Sequence, residues 1–263
     1  MRLLVVEGNI KETWQHRESL GGIPYHRRFQ TMLKILQPEA KVEFAFPADN
    51  DSMLNSRIQL ASFDGVLWTG SSLSVNSSTP EVQRQLSFAE DVFHSGVPFY
   101  GSCWGLQIAS VVAGGKVKPC EKGWEFGLSQ PISLTSTGKI HPCFRGRTGL
   151  FSSLVVHRDE IVKLPENSMV LATNSHSKVQ AISFRYRKSE FFGVQYHPEF
   201  TISDLGFIAR VLSKNLIRDE VFKNEKRVQE FIKKMKNKIS IPKSIFNYKT
   251  HILEVDYWLR SLR

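Results

Sequence analysis

The chain has 263 residues, 41% of them hydrophobic, and a formal charge of +10. That is enough apolar side chain for one large α/β domain, or a domain with an appendage, and too much for a disordered polymer. The charge is unevenly placed, with 14 Lys/Arg against 6 Asp/Glu in residues 205–263, a net of +8 there and only +2 in the preceding body, so a nucleic-acid reading would rest on the tail alone. The three cysteines, Cys103, Cys120 and Cys143, include no Cys-x-x-Cys pair. This argues against a disulfide framework and a structural zinc site, and fits a reducing cytoplasm. The first apolar run meets an acid at Glu7. It is too short for a signal peptide, and the sequence holds no 18-residue apolar stretch, so no membrane span is expected.

In chain order, residues 2–7 read as a short buried strand broken by Gly8 and Asn9. Residues 10–27 are polar and read as irregular. From Tyr25 to Leu36 the residues Tyr25, Phe29, Met32, Leu33 and Leu36 share one helical face. Residues 42–46 read as a strand, 53–60 as a short helix and 63–68 as a third strand running into Thr69-Gly70-Ser71-Ser72. A helix is expected over 80–95, with Pro80 in its first turn and Thr79 before it as a cap. The apolar run Pro98-Phe99-Tyr100 leads at once into Gly101-Ser102-Cys103-Trp104-Gly105. A buried helix over 106–113 follows, closed by Gly114-Gly115. Alternating strands and helices predict a mostly parallel sheet covered on both faces.

From 116 to 192 the runs shorten. Residues 132–134, 154–156, 170–172 and 179–184 read as antiparallel strands, expected to form a small sheet of their own. Residues 192–196 read as a strand ending at His197-Pro198-Glu199. The expected domains are 1–203 and a basic helical extension over 204–263. In that extension a helix spans 205–217, and a charged helix from Lys223 to Lys238 carries Val228, Phe231, Ile232 and Met235 as an apolar stripe for docking on the core or a partner.

Three features carry chemistry. Gly101-Ser102-Cys103-Trp104-Gly105, between a strand and a helix, has the form of a nucleophile elbow with a thiol in place of a hydroxyl. The flanking glycines suit a sharp turn, and the thiol sits at the positive end of the following helix. An ordinary thiol is mostly protonated at neutral pH and needs a base, which in turn needs an orienting group. His197 and Glu199, two apart in an extended segment, can supply both. Gly70 could offer a backbone N–H to a developing oxyanion, with the Trp104 N–H as the second donor.

Together these residues resemble class I glutamine amidotransferases: Gly-x-Cys-x-Gly-x-Gln after a strand, Glu-Phe-Gly about 20 residues on, and His-Pro-Glu late in the chain. The resemblance covers residues 1–203 and is closest to stand-alone domains similar to the amidotransferase half of guanosine-monophosphate synthetase. It implies a three-layer, flavodoxin-like α/β fold. It also implies hydrolysis of the glutamine side-chain amide through a γ-glutamyl thioester on Cys103, with His197 as base, Glu199 as its orienter, and Gly70 and Trp104 at the oxyanion. By position, Gln107, Val156, His157 and Asp159 would contact substrate. Glu125 is equally readable as a pocket-wall residue or an exposed strand-end acid.

Two departures stand out. The loop is Thr69-Gly70-Ser71 where the family has Gly-Gly-Pro, and Trp104 replaces an aliphatic residue, so its indole could reshape the pocket. The segment 10–27, with Trp14 and Arg17, is read as a selector of acceptor or γ-glutamyl substrate. Cys120 and Cys143 are read as packing residues and His176 as a turn histidine. No metal or organic cofactor is required. The expected partners are glutamine or a γ-glutamyl compound and a synthase subunit that would take the ammonia; self-association into a homo-oligomer is left open. A γ-glutamyl peptidase or transpeptidase would use the same Cys-His-Glu set, and a catalytically silent binding subunit is the third reading.

Overall fold

The computed structural model describes residues 1–49, 60–147, 149–238, 241, 242, 245 and 247–262. The helix expected over 53–60 lies outside the described residues except for its last one. Leu60 begins a single 3-10 turn, Leu60–Ser62.

The elements run β1 (Arg2–Val6), α1 (Lys11–Ser19), α2 (Tyr25–Leu36), β2 (Lys41–Ala45), β3 (Gly65–Trp68), α3 (Pro80–Ser95), β4 (Phe99–Ser102), α4 (Trp104–Val112), β5 (Lys116–Pro119), β6 (Glu125–Leu128), β7 (Ile132–Leu134), α5 (Ser136–Ile140), β8 (Leu150–Phe151), β9 (Leu154–His157), β10 (Asp159–Lys163), β11 (Met169–Thr173), β12 (Ala181–Tyr186), β13 (Ser189–Val194), α6 (Ile202–Val211), α7 (Ser213–Arg218) and α8 (Glu225–Lys236). A short turn of helix at Tyr248–His251 leads into a C-terminal helix, Leu253–Ser261.

Nine strands form one sheet in the order β2-β1-β3-β4-β13-β12-β11-β7-β8. The first five are mutually parallel, with Val5 opposite Phe44 and Leu67, Trp68 opposite Gly101, and Gly193 also opposite Gly101. This is the doubly wound flavodoxin-like arrangement, which binds ligands beyond the carboxyl ends of its parallel strands. The antiparallel strands do not make one separate sheet. β12, β11, β7 and β8 extend the main sheet, while β5 with β10 and β6 with β9 form two ribbons. The β12–β13 connection is too short for a crossover, and Arg187 turns it with φ of 52°. A short hairpin forces its strands to be neighbours.

Both faces of the sheet are covered. Val82, Ala89, Val92 and Phe93 of α3, with Leu106, Ile108 and Ala109 of α4, fill one face. Phe29, Met32 and Leu33 of α2, with Val255, Trp258 and Leu259 of the C-terminal helix, fill the other. A third cluster packs α6 and α8 against Leu154 and Phe200. No helix among the described residues is long and apolar enough to cross a membrane.

Several expectations change. Residues 10–27 hold a helix, α1, none of whose residues is fully buried. With no apolar stripe, periodicity had nothing to show. The helix is held instead by Arg17, which donates from Nε to the Ile23 carbonyl at 2.7 Å and lies 3.6 Å from Asp204. Arg28 also pairs with Asp204, at 2.7 Å, and Asp204 reaches back to the Thr201 N–H at the start of α6. The helix expected over 205–217 is two, meeting at Leu212. The strand expected over 192–196 is Ser189–Val194, so Tyr196 and His197 lie past its end. The hydroxyl of Thr79 caps nothing, and α3 closes on Gly96 with φ of 82°.

The C-terminal helix is stapled to the body by a buried ion pair between Arg147 and Glu254, the latter fully buried. Trp258 packs on Tyr100 with ring centroids 5.5 Å apart. Removing one member of a buried pair strands the other charge and costs about 3–5 kcal/mol. Glu254→Ala is therefore expected to lower unfolding stability by that order in denaturant titration. A loss under about 1 kcal/mol would show that the pair contributes little.

Candidate active site

β4 ends in Ser102 and α4 starts at Trp104, leaving one residue to make the turn. That residue, Cys103, adopts φ of 50° and ψ of −98°. Such backbone costs on the order of 1–3 kcal/mol and persists only where the surroundings hold it. Here the Cys103 N–H bonds the Val194 carbonyl at 2.8 Å. The flanking glycines answer to close approach. A Cβ on Gly101 would stand 2.5 Å from the Gly105 backbone, and one on Gly105 would stand 2.7 Å from the Trp68 carbonyl.

The neighbouring parallel strand, β13, carries the chain to His197, whose N–H bonds the Leu154 carbonyl at 2.8 Å. Its Nδ1 lies 2.7 Å from Glu199 Oε1. With Nδ1 taken by the carboxylate, Nε2 is the nitrogen left to serve Cys103, which shares the same cavity wall. Phe200 stacks flat on the imidazole, centroids 4.0 Å apart and planes 1° from parallel. Burial opposes the charged form of His197. The charges of Glu199 and Cys103, with the Glu199 hydrogen bond, outweigh it and raise the imidazole to about 10. Glu199 is 1% exposed, with the Ser102 hydroxyl 3.1 Å from its Oε2.

Gly70 lies against the Cε1 edge of this ring, where an added Cβ would stand 2.7 Å from His197 Cε1. Trp104 is the first residue of α4, so its N–H has no partner within the helix. Among the described residues neither the Gly70 nor the Trp104 N–H has a protein acceptor. The Trp104 indole does not reshape the pocket. It is buried and donates to Gln85 Oε1 at 2.8 Å.

A cavity of about 440 Å³ opens over Cys103 and His197. Gln107, Val156, His157 and Asp159 all line it. Gln107 Nε2 donates to the Asp159 carbonyl at 3.1 Å and the Val156 carbonyl lies 3.8 Å from Cys103 Sγ. Both ring nitrogens of His157 are engaged inside the protein, Nε2 with Glu125 at 2.9 Å and Nδ1 with the Asp159 carbonyl at 3.2 Å. Glu125 is no exposed acid. At 4% exposure it also accepts from Asn174, Gln180 and the Gln130 N–H. Burial raises its carboxyl, but the His157 hydrogen bond and charge, helped by the Gln130 N–H and the His176 charge, win and leave it below the usual range.

Of the segment 10–27 read as a substrate selector, Tyr25 lines the cavity. Burial, opposed by Arg17 and joined by the nearby acidic groups, pushes its phenol up to about 12. Trp14 and Arg17 are not among the lining residues. Arg17 sits 4.7 Å over the Tyr25 ring, and Trp14 packs on His26 and Phe46. The far wall is Trp124 with Leu212, Asn215, Arg218 and Asp219. Asp219 accepts from the Trp124 indole at 3.0 Å and lies 3.6 Å from Arg158. Hydrogen bonds from Arg218 and then Trp124 hold its carboxyl down at about 2. Leu212, Asn215, Arg218 and Asp219 belong to the basic extension, where no site residue was expected.

The family model for "Glutamine amidotransferase class-I" matches residues 39–218. The chain belongs to the class I glutamine amidotransferase family. It is 33% identical, over 87% of its length and 78% of the relative's, to a gamma-glutamyl-L-1-hydroxyisopropylamide hydrolase of a Pseudomonas species. It is 28% identical to a glutamine-hydrolyzing GMP synthase of Francisella tularensis, matching 69% of this chain but spanning only 33% of that protein. The fold is shared with a Thermotoga maritima glutamine amidotransferase, at a TM-score of 0.69, 15% identity and 98% coverage of both chains.

Proposed function

We propose that this class I amidotransferase cleaves the γ-amide of glutamine through a thioester on Cys103. The observation that carries the reading is the Cys103 thiol and the Glu199-bound His197 ring brought together on the wall of one solvent-reachable cavity. The thiol passes its proton to His197 and the sulfur attacks the amide carbon. The oxyanion so formed lies between the Gly70 and Trp104 N–H groups. The imidazolium then protonates the departing nitrogen, ammonia leaves, and the γ-glutamyl thioester remains on sulfur. His197 next takes a proton from water, whose oxygen attacks the thioester, and glutamate and the thiol are regenerated. Gln107, Val156 and Asp159 hold the glutamyl end. A synthase subunit that consumes the ammonia is the partner this reading requires. The test is ammonia release from glutamine together with a mass increase on Cys103 from a glutamine-mimicking electrophile. Failure of both removes the reading.

A second reading is favoured by the far wall. The cavity runs past Cys103 to Trp124, Asn215 and Arg218, leaving room for an amine larger than ammonia. The activity of the Pseudomonas relative, a gamma-glutamyl-L-1-hydroxyisopropylamide hydrolase, supports this. On this reading γ-glutamyl alkylamides exceed glutamine in kcat/KM by about tenfold or more, since each buried methylene of the amine contributes on the order of 1 kcal/mol. Asn215→Ala and Arg218→Ala should then erode the preference without altering glutamine turnover. Equal kcat/KM for the two substrates returns the assignment to glutamine.

A further inference from the structure

The loop that presents Gly70 is short of rigid residues, yet the structure pins it from an unexpected place. Asn9, 5% exposed, lies just past β1. Its Oδ1 accepts from the Ser72 N–H at 2.9 Å, the Ser72 hydroxyl at 3.0 Å and the Ser71 hydroxyl at 3.3 Å. The other end of the same amide donates from Nδ2 to Glu7 Oε1 at 2.9 Å, and the Asn9 N–H reaches that oxygen at 3.0 Å. Glu7 is fully buried, and its second oxygen accepts from the His26 N–H at 2.9 Å and lies 2.8 Å from His26 Nδ1. All of this stands behind the loop, since neither Glu7 nor Asn9 lines the cavity.

Burying a carboxylate is costly even when it is well bonded. A hydrophobic residue at position 7 would continue the apolar run of β1 without that cost. What the carboxylate provides is a fixed orientation for Asn9, because an amide held at its nitrogen cannot flip. What Asn9 provides is a fixed position for the two residues after Gly70. An oxyanion donor must be aimed to within a fraction of an ångström, and a displacement of about 1 Å costs on the order of 10²-fold in rate.

We propose that Asn9, anchored by Glu7, is a positioning residue that sets the Gly70 N–H for the transition state. The inference rests on the thioester reading of the site. It makes the polar relay Glu7–Asn9–Ser71/Ser72 the device that replaces rigid loop chemistry in this chain.

The test uses the full chain and three measurements: kcat and KM on whichever of glutamine or a γ-glutamyl alkylamide is turned over, alkylation of Cys103 by iodoacetamide, and the thermal midpoint. In Asn9→Ala, kcat should fall about 10²-fold. KM should stay within a few-fold, and alkylation should proceed at the wild-type rate. Uniform loss across kcat, alkylation and thermal midpoint would show a structural role and overturn the proposal, as would an unchanged kcat. Should Asn9→Ala not fold, the double variant Ser71→Ala/Ser72→Ala removes both hydroxyl donors from half-exposed positions. It should lower kcat several-fold at constant KM, and full activity overturns the idea equally. A wild-type protein inert toward both substrates would sink the thioester reading and this inference together. An active wild type with an unaffected Asn9→Ala sinks the inference alone.

Discussion

Cys103→Ala is expected to abolish amide hydrolysis while leaving the fold intact. Without sulfur no thioester forms, and what remains is background assistance from binding and the two backbone donors. Losing a nucleophile in such a unit costs on the order of 10⁵–10⁶-fold in kcat. The substitution should not destabilise the protein, because alanine removes one atom from a site that already opens on a cavity. The φ of 50° is unfavourable for either side chain. Substrate binding should persist, so the variant should still be protected against thermal unfolding by glutamine or a γ-glutamyl alkylamide. Residual turnover above about 1% of wild type would mean that another group carries the reaction.

The second large effect is on His197 and Glu199. His197→Ala removes the group that shuttles both protons and should cost nearly as much as loss of the thiol, since such effects are not additive. Glu199→Gln is more informative. It keeps the shape but not the charge, and the loss expected for a base without its orienting carboxylate is about 10³–10⁴-fold. It also moves a titration. The ring is raised to about 10 against the opposition of burial, with Glu199 the largest favourable influence. Taking that charge away lowers the imidazole, so the alkaline limb of kcat/KM should shift to lower pH. The stability sign follows. A histidine whose folded value is raised contributes fully below its unfolded value near 6.5, and the contribution disappears as pH climbs towards about 10. Wild type should therefore lose an increment of stability across that window that Glu199→Gln lacks. A pH–stability difference that is flat from 6 to 10 would show that Glu199 does not hold the imidazolium.

The elbow was legible in the sequence because its chemistry is local. Gly101 and Gly105 are each forced by atoms within a few residues or on the adjoining strand, and Cys103 could only be the turn residue between them. His197-Pro198-Glu199 is similarly compact, with donor and acceptor two residues apart. The parallel half of the sheet was legible from apolar runs alternating with amphipathic helices such as α2 and α3. By contrast α1 was invisible, because it is held by Arg17, through Ile23 and Asp204, and by the single aromatic Trp14 rather than by an apolar stripe. The scatter of β7, β8, β11 and β12 onto the edge of the main sheet was equally hidden, since short strands announce themselves but not their partners.

The sequence by itself determined the family, the parallel α/β core and the three side chains expected to do the chemistry, because each depends on residue type and short-range spacing. Tertiary structure alone decided what surrounds them. Glu125 became a buried hub, the Trp104 indole turned into the core, and Asn9 came to lie behind the loop of Gly70 from more than sixty positions earlier. Arg218 and Asp219 left the basic tail to close the far wall of the cavity. Such roles follow from which distant segments share a volume, and a hydrogen bond leaves no periodicity in the chain that makes it.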